Sequence, residues 1–288
     1  MSYNRRKFIQ ATGLFTVGSL LAGNQLFAAA KKDKLKKIGL QLWTVKEDMS
    51  KDAKGVLKQI AGFGYKQIEG FEGGKGIFWG MTPAEFKQHM DDLDMNFISS
   101  HCNINKDFEK KAADAASIGM KYLICPYLGP QKTVDDYKKA ADNFNAKGEI
   151  CKKNGIRFAY HNHGYSFKEL EGKMPQDVMM DNTNPDLVDF EMDIYWVVTG
   201  GADPVKYMEK YKNRFRLGHI KDRKKGAAPT DQDASCIVGE GSIDYPSLLH
   251  TAKKNGMEYF IVEQEHFENT TPMLSAEADA KYLKGITI

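Results

Sequence analysis

Lys153-Asn154-Gly155-Ile156-Arg157-Phe158-Ala159-Tyr160-His161-Asn162-His163 joins a basic helix end, a glycine, an apolar strand and a polar strand terminus. The glycine suits the left-handed position that closes a helix, where other residues are strained. The same junction recurs three times. Ala61-Gly62-Phe63-Gly64-Tyr65-Lys66 precedes Gln67-Ile68-Glu69, and Ser117-Ile118-Gly119-Met120-Lys121 precedes Tyr122-Leu123-Ile124-Cys125. Lys254-Asn255-Gly256-Met257-Glu258 precedes Tyr259-Phe260-Ile261-Val262. Each copy marks a turn from a helix into a strand.

Helix starts are equally legible. Thr82-Pro83-Ala84-Glu85 is a capping box with proline in the first turn, followed by Phe86, Met90 and Leu93 on one face. Asp203-Pro204 and Asp244-Tyr245-Pro246 open two further helices. From Thr133 a long helix carries Tyr137, Ala141, Phe144, Gly148 and Cys151 at helical spacing. Strands placed between the helices begin near Ile38, Gln67, Asn96, Tyr122, Ile156, Leu187, Phe215 and Tyr259. The first seven starts lie 26 to 34 residues apart, and the last interval of 44 leaves room for a loop from Arg223 to Gly241. Eight alternating units predict a single-domain α/β protein, a parallel (β/α)8 TIM barrel. An open doubly wound sheet is second choice, because no GxGxxG follows the first strand.

The chain has 288 residues, 42% of them hydrophobic and 27% charged, which fits a globular protein and not a disordered one. Residues 1–30 stand apart. Arg5, Arg6 and Lys7 precede a mildly apolar run from Ala11 to Phe27 and the small residues Ala28-Ala29-Ala30. This reads as a cleavable secretory signal of the twin-arginine type, which implies a periplasmic protein folded before export. The apolar run is too short for a membrane span. Residues 31–288 would then form the barrel. The formal charge of +3 resides in those three basic residues, so the remainder is neutral. No basic excess points to nucleic acid, and a neutral domain is not one built for a polyanion. Cys102, Cys125, Cys151 and Cys236 form no CxxC pair and are read as free thiols.

Active sites of such barrels lie at the C-terminal strand ends. Strand five ends in Tyr160-His161-Asn162-His163, and strand six in Phe190-Glu191-Met192-Asp193-Ile194-Tyr195-Trp196. Strand seven ends in Gly218-His219-Ile220-Lys221-Asp222, and strand eight in Val262-Glu263-Gln264-Glu265-His266. Alternation puts His161 with His163, His219 with Lys221, and Glu263 with Glu265 on inward faces. Charges there need partners or a metal. Two imidazoles and the carboxylates of Asp193 and Glu263 make a mixed nitrogen–oxygen site for one divalent metal. Manganese, zinc, cobalt or iron suits it better than magnesium. Singly, His219 reads as structural, Glu265 and His266 as loop, and Arg223, Lys224 and Lys225 as a charged turn. Convergence of four successive strands favours the metal.

The chain resembles the xylose isomerase-like sugar phosphate isomerase/epimerase superfamily. The resemblance rests on Ile38-Gly39-Leu40-Gln41-Leu42-Trp43, Ile68-Glu69-Gly70-Phe71, Ser99-Ser100-His101, His161-Asn162-His163, Asp193, His219-Ile220-Lys221-Asp222, Gly239-Glu240-Gly241 and Val262-Glu263-Gln264-Glu265. It implies metal ligands at His161, Asp193, His219 and Glu263. Many isomerases of this family carry a glutamate at the strand-five position. Here it is His161, with His163 as an alternative ligand, a pattern more like members acting on keto-sugars or keto-inositols.

Together these features imply α-proton abstraction and an enediolate. His163 and Glu265 are the candidate bases, with Lys221 at a developing oxyanion. Trp43, Glu69, His101 and Trp196 would shape the sugar pocket, with the loop after strand seven as a lid. A sugar isomerase or epimerase is the first expectation. A lyase acting on a keto-inositol or 3-keto-glycoside is the second. The third is a non-catalytic carbohydrate-binding protein of the envelope.

Overall fold

A computed structural model describes residues 34–287, Lys36 apart. The expected signal segment, residues 1–30, lies outside the described residues. Eight parallel strands close into a barrel: β1 Gly39–Gln41, β2 Gln67–Phe71, β3 Asn96–His101, β4 Tyr122–Cys125, β5 Arg157–His161, β6 Val188–Asp193, β7 Phe215–Ile220 and β8 Tyr259–Val262. Neighbours in the chain are neighbours in the ring, and β8 returns to β1 through Gly39↔Ile261 and Leu40↔Val262. Five strands begin at the predicted residue. Those expected at Ile38, Ile156 and Leu187 begin one residue later, within the usual uncertainty of strand ends.

The main helices are α1 Lys46–Phe63, α2 Pro83–Asp92, α3 Phe108–Ser117, α4 Val134–Lys153, α5 Pro175–Asp181, α6 Ile194–Thr199, α7 Pro204–Lys210, α8 Tyr245–Lys254 and α9 Pro272–Gly285. Gly64, Gly119, Gly155 and Gly256 have φ of 92°, 82°, 76° and 100°, the left-handed turns the junctions require. Thr82 and Glu85 form the reciprocal capping box. Asp203 and Asp244 cap α7 and α8 through their carboxylates.

Alternation along the strands sorts two cores. Val188, Phe190 and Met192 point outward to the helices. Tyr122, Ile124, Ala159, Leu217 and Ile261 make a small apolar layer of their own. Toward the C-terminal strand ends the same inward positions turn polar: Gln41, Glu69, Ser99, His101, His161, Glu191, Asp193 and His219 are all buried. The register slips between Ile68 and Glu69 and between Phe190 and Glu191. Such bulges re-aim side chains, and each immediately precedes a buried carboxylate.

The charged turn expected at Arg223–Lys225 is corrected. Asp222–Arg223 pairs antiparallel with Ser235–Cys236, and Arg223 is buried. Its guanidinium donates to the Tyr195 hydroxyl and to the carbonyls of Asp231 and Ala228. Asp222 is enclosed too and accepts four backbone N–H bonds, from Arg223, Gly239, Gly241 and Ile243. A Cβ on Gly241 would lie 2.2 Å from Asp222 Oδ1, so this loop wraps the carboxylate too closely for a side chain. The loop expected to act as a lid is therefore tied to the end of β7. All four cysteines are free thiols, as read from their spacing.

Candidate active site

His161 ends β5, Asp193 ends β6, His219 lies in β7, and Glu263 follows β8. One ligand atom from each lies within 4.8 Å of all the others, and all four residues are buried. His161 Nε2 is 3.2 Å from His219 Nδ1 and 3.5 Å from Asp193 Oδ2. Glu263 Oε2 lies 3.2 Å from His219 Nδ1.

The surroundings orient each donor. His161 Nδ1 lies 3.1 Å from the Pro126 carbonyl, which fixes the proton there and leaves Nε2 to the cluster. His219 Nε2 donates to Glu69 Oε1 at 2.7 Å, which leaves Nδ1 to the cluster. A carboxylate or carbonyl behind the far imidazole nitrogen is the usual support of a metal-bound histidine. Asp193 Oδ1 accepts from Trp196 N at the start of α6, whereas its buried Oδ2 has no hydrogen-bond partner. That unpartnered oxygen, with two imidazole nitrogens and the Glu263 carboxylate, fits a divalent cation.

Electrostatics agree. Burial works against ionised Asp193 and Glu263, yet Lys221 and His219 hold both carboxyls below the usual range, with His161 adding to the effect on Asp193. Burial also works against charged Lys221, but Glu263, Asp193 and Glu265 outweigh it and push its pKa up. His163 is pushed down to about 2 by burial and by His161, so its ring is neutral. Glu265 is raised by burial and by neighbouring Glu263.

Of the two strand-five histidines, His161 enters the cluster and His163 does not. His163 lies against Tyr165, parallel within 5°, and against Trp196, with Nδ1 unpartnered. It lines a cavity of about 560 Å³ over the cluster, together with Trp43, His101, His161, Trp196, Glu263 and Glu265. Glu265 is held from two sides, by Trp43 Nε1 at 3.0 Å and by Lys221 Nζ.

Two expected roles change. Glu69, expected in the sugar pocket, is fully enclosed and does not line the cavity. It accepts from Gln41, Ser99 and His219 instead. Lys221, expected at a substrate oxyanion, is 1% exposed, and its Nζ is shared between Glu263 and Glu265. Glu191 was missed. It sits two residues before Asp193 on the same inward face, and its Oε2 lies 2.8 Å from His101 Nε2. Burial opposes a charged His101, yet Glu69 and Glu191 raise its pKa to about 9.

Residues 57–286 match the family described as xylose isomerase-like TIM barrel. The chain belongs to that family. A sugar phosphate isomerase/epimerase of Parabacteroides distasonis superposes with a TM-score of 0.75 at 30% identity, over 91% of this chain and 97% of that one. An inosose dehydratase of Clostridium perfringens is 28% identical over 164 residues, 52% of this chain and 54% of its own length. The chain thus spans about half the length of that relative. A protein called IolI, solved with a zinc atom bound, shares the fold at 17% identity with a TM-score of 0.71, over 85% of this chain and 95% of that one. Among the described residues no helix is long and apolar enough to cross a membrane.

Proposed function

We propose that this chain is a divalent-metal-dependent enzyme that removes the proton α to the carbonyl of a sugar or keto-sugar and returns it, as an isomerase or epimerase. The observation that carries this reading is the convergence of His161, Asp193, His219 and Glu263 at the floor of an open cavity. A divalent ion there would supply Lewis acidity toward a carbonyl and its neighbouring hydroxyl.

The chain's own groups do the rest. Glu265 lines the cavity with both oxygens held, one by Trp43 and one by Lys221, so a carboxylate is pre-positioned to take the α-proton. Lys221 fixes Glu263 and Glu265 together from a buried position behind them. His163, the other candidate base, is kept neutral by burial and its unpartnered Nδ1 is enclosed, so Glu265 is the group placed to take the proton and return it.

Elimination in the same site, by a lyase, is the second reading. The resemblance to an inosose dehydratase favours it, as does a histidine where many isomerases of the family carry a glutamate. The metal-loaded chain in deuterium oxide, offered a panel of aldoses, ketoses and keto-inositols, tests both by NMR. Deuterium at the α-carbon of an isomerised sugar is expected. An unsaturated ketone or a released aglycone selects the lyase. Neither exchange nor conversion at full metal occupancy refutes both. We further propose export through residues 1–30, which predicts that the cellular protein begins at Lys31.

A further inference from the structure

The cavity is larger than its metal-facing half needs. A single pyranose displaces roughly six water volumes, ~180 Å³, against a cavity of about 560 Å³. Besides the residues around the metal-facing cluster, the cavity is lined by Trp43, Phe71, Asn103, Lys106 and Tyr127, at or beyond the ends of β1 to β4.

Those strand ends expose aromatic surface. Among the described residues three large hydrophobic side chains are exposed, Trp43 at 38%, Tyr127 at 58% and Leu274 at 58%. Two of the three line this cavity. β1 and β4 stand three strands apart in the ring of eight, so the two aromatics rise from well-separated sides of the mouth. Neither is a loose side chain. Phe71 meets Trp43 edge-on at 5.0 Å, and Lys46 Nζ sits 4.0 Å from the Trp43 ring centre. Tyr127 stands edge-on to His163 at 4.9 Å and to Tyr165 at 5.6 Å. Held, exposed aromatic rings beside a polar centre mark a binding surface.

Charge says what the surface does not take. Glu72, Glu263 and Glu265 line the cavity, and Lys106 is the one lysine or arginine that does so among the described residues. His101 Nε2 is committed to Glu191 and Glu69. Glu72 is already paired with Lys111, and Glu263 and Glu265 with Lys221, so a phosphate group carrying nearly two negative charges would meet Lys106 alone and no arginine fork.

We propose that the outer half of the cavity, between Trp43 and Tyr127, is a second subsite for an apolar or aromatic group joined to the sugar, so that the substrate is a neutral glycoside whose ring keeps a carbonyl for the metal centre, and not a sugar phosphate. This rests on the sugar chemistry assigned above to the metal centre.

Calorimetry on the metal-loaded chain tests it, with phenyl and methyl β-glycosides of glucose, galactose and xylose, and with glucose 6-phosphate. For at least one sugar the phenyl glycoside should bind about tenfold more tightly than its methyl partner. Tyr127→Ala should remove most of that difference and leave the methyl glycoside within about twofold. Equal binding of phenyl and methyl partners for all three sugars overturns the proposal. So does glucose 6-phosphate binding more tightly than every phenyl glycoside, or no phenyl glycoside binding at all. The same samples keep the two readings apart. α-Proton exchange on free sugars without aryl preference sinks the subsite alone. Aryl preference without exchange or conversion of any sugar sinks the enzyme reading alone.

Discussion

Replacing Asp222 by Asn removes one oxygen and no volume. In the native chain Oδ1 accepts from Arg223 N at 2.7 Å and Ile243 N at 3.1 Å, and Oδ2 accepts from Gly239 N at 2.9 Å and Gly241 N at 3.1 Å. An amide has a single oxygen. Whichever way it turns, two backbone N–H groups face its nitrogen. Hydrogen bonds to charged groups contribute about 1.5–3 kcal/mol each, so two lost bonds cost roughly 3–6 kcal/mol. The surviving pair also weakens from ionic to neutral. With a urea slope of about 3 kcal/mol per molar, the unfolding midpoint should fall by roughly 1–2 M. Limited proteolysis should open the chain between Lys224 and Gly241. Lys224→Ala, which removes an ion pair with Glu268 at the surface, is the control and should leave the midpoint in place. A midpoint for Asp222→Asn within about 0.3 M of the native one would refute the claim that this carboxylate holds the loop.

Three further outcomes are expected. Glu69→Gln keeps the shape behind His219 but loses the carboxylate, and metal affinity should fall about 10–100-fold in a chelator competition, with an unchanged affinity counting against the orienting role. Buried Asp279, whose carboxyl burial raises to about 7 from 3.8, keeps its proton in the folded state to about pH 7, whereas the unfolded chain releases it near pH 4. Folding therefore loses stability as pH rises from 4 to 7, by as much as about 4 kcal/mol. Asp279→Asn, which keeps the acceptor for Val238 N, should match the native protein below about pH 4 and exceed it increasingly up to pH 8 in urea unfolding. Equal stability at pH 8 would remove the burial argument. A Cβ on Gly148 in α4 would meet the Leu187 carbonyl oxygen at 2.7 Å, so Gly148→Ala should destabilise by about 1–3 kcal/mol. Helix propensity alone would have it stabilise by roughly 1 kcal/mol, so the sign of the change decides.

The barrel was legible because each of its signals is local. A left-handed glycine, a capping threonine and an alternating strand need only a few neighbouring residues, and Gly64, Gly119, Gly155 and Gly256 all take the expected backbone. The four clustered donors were legible for a related reason. Alternation and the barrel's polarity place them at one end without knowledge of any contact. What escaped depends on depth and on pairing across the ring. Glu69 and His101 share a pattern with pocket residues, and sequence spacing does not say that one lies beneath the floor while the other lines it. Both register slips fall next to enclosed carboxylates, and a bulge leaves no mark in the residue pattern here. Asp222 and Arg223 sit in a basic, loop-like run, so local composition reads as solvated. Their burial comes from Gly239 to Ile243 and from Ala228 and Asp231, partners that only the closed loop brings back.

Asp193 belongs to two structures at once. Its Oδ1 begins the helix that carries Trp196 into the cavity wall, and its Oδ2 points into the cluster with His161, His219 and Glu263. The two oxygens share one torsion, so whatever steadies one steadies the other. A divalent ion held at Oδ2 would therefore also steady the helix start at Trp196 N, and with it one wall of the cavity.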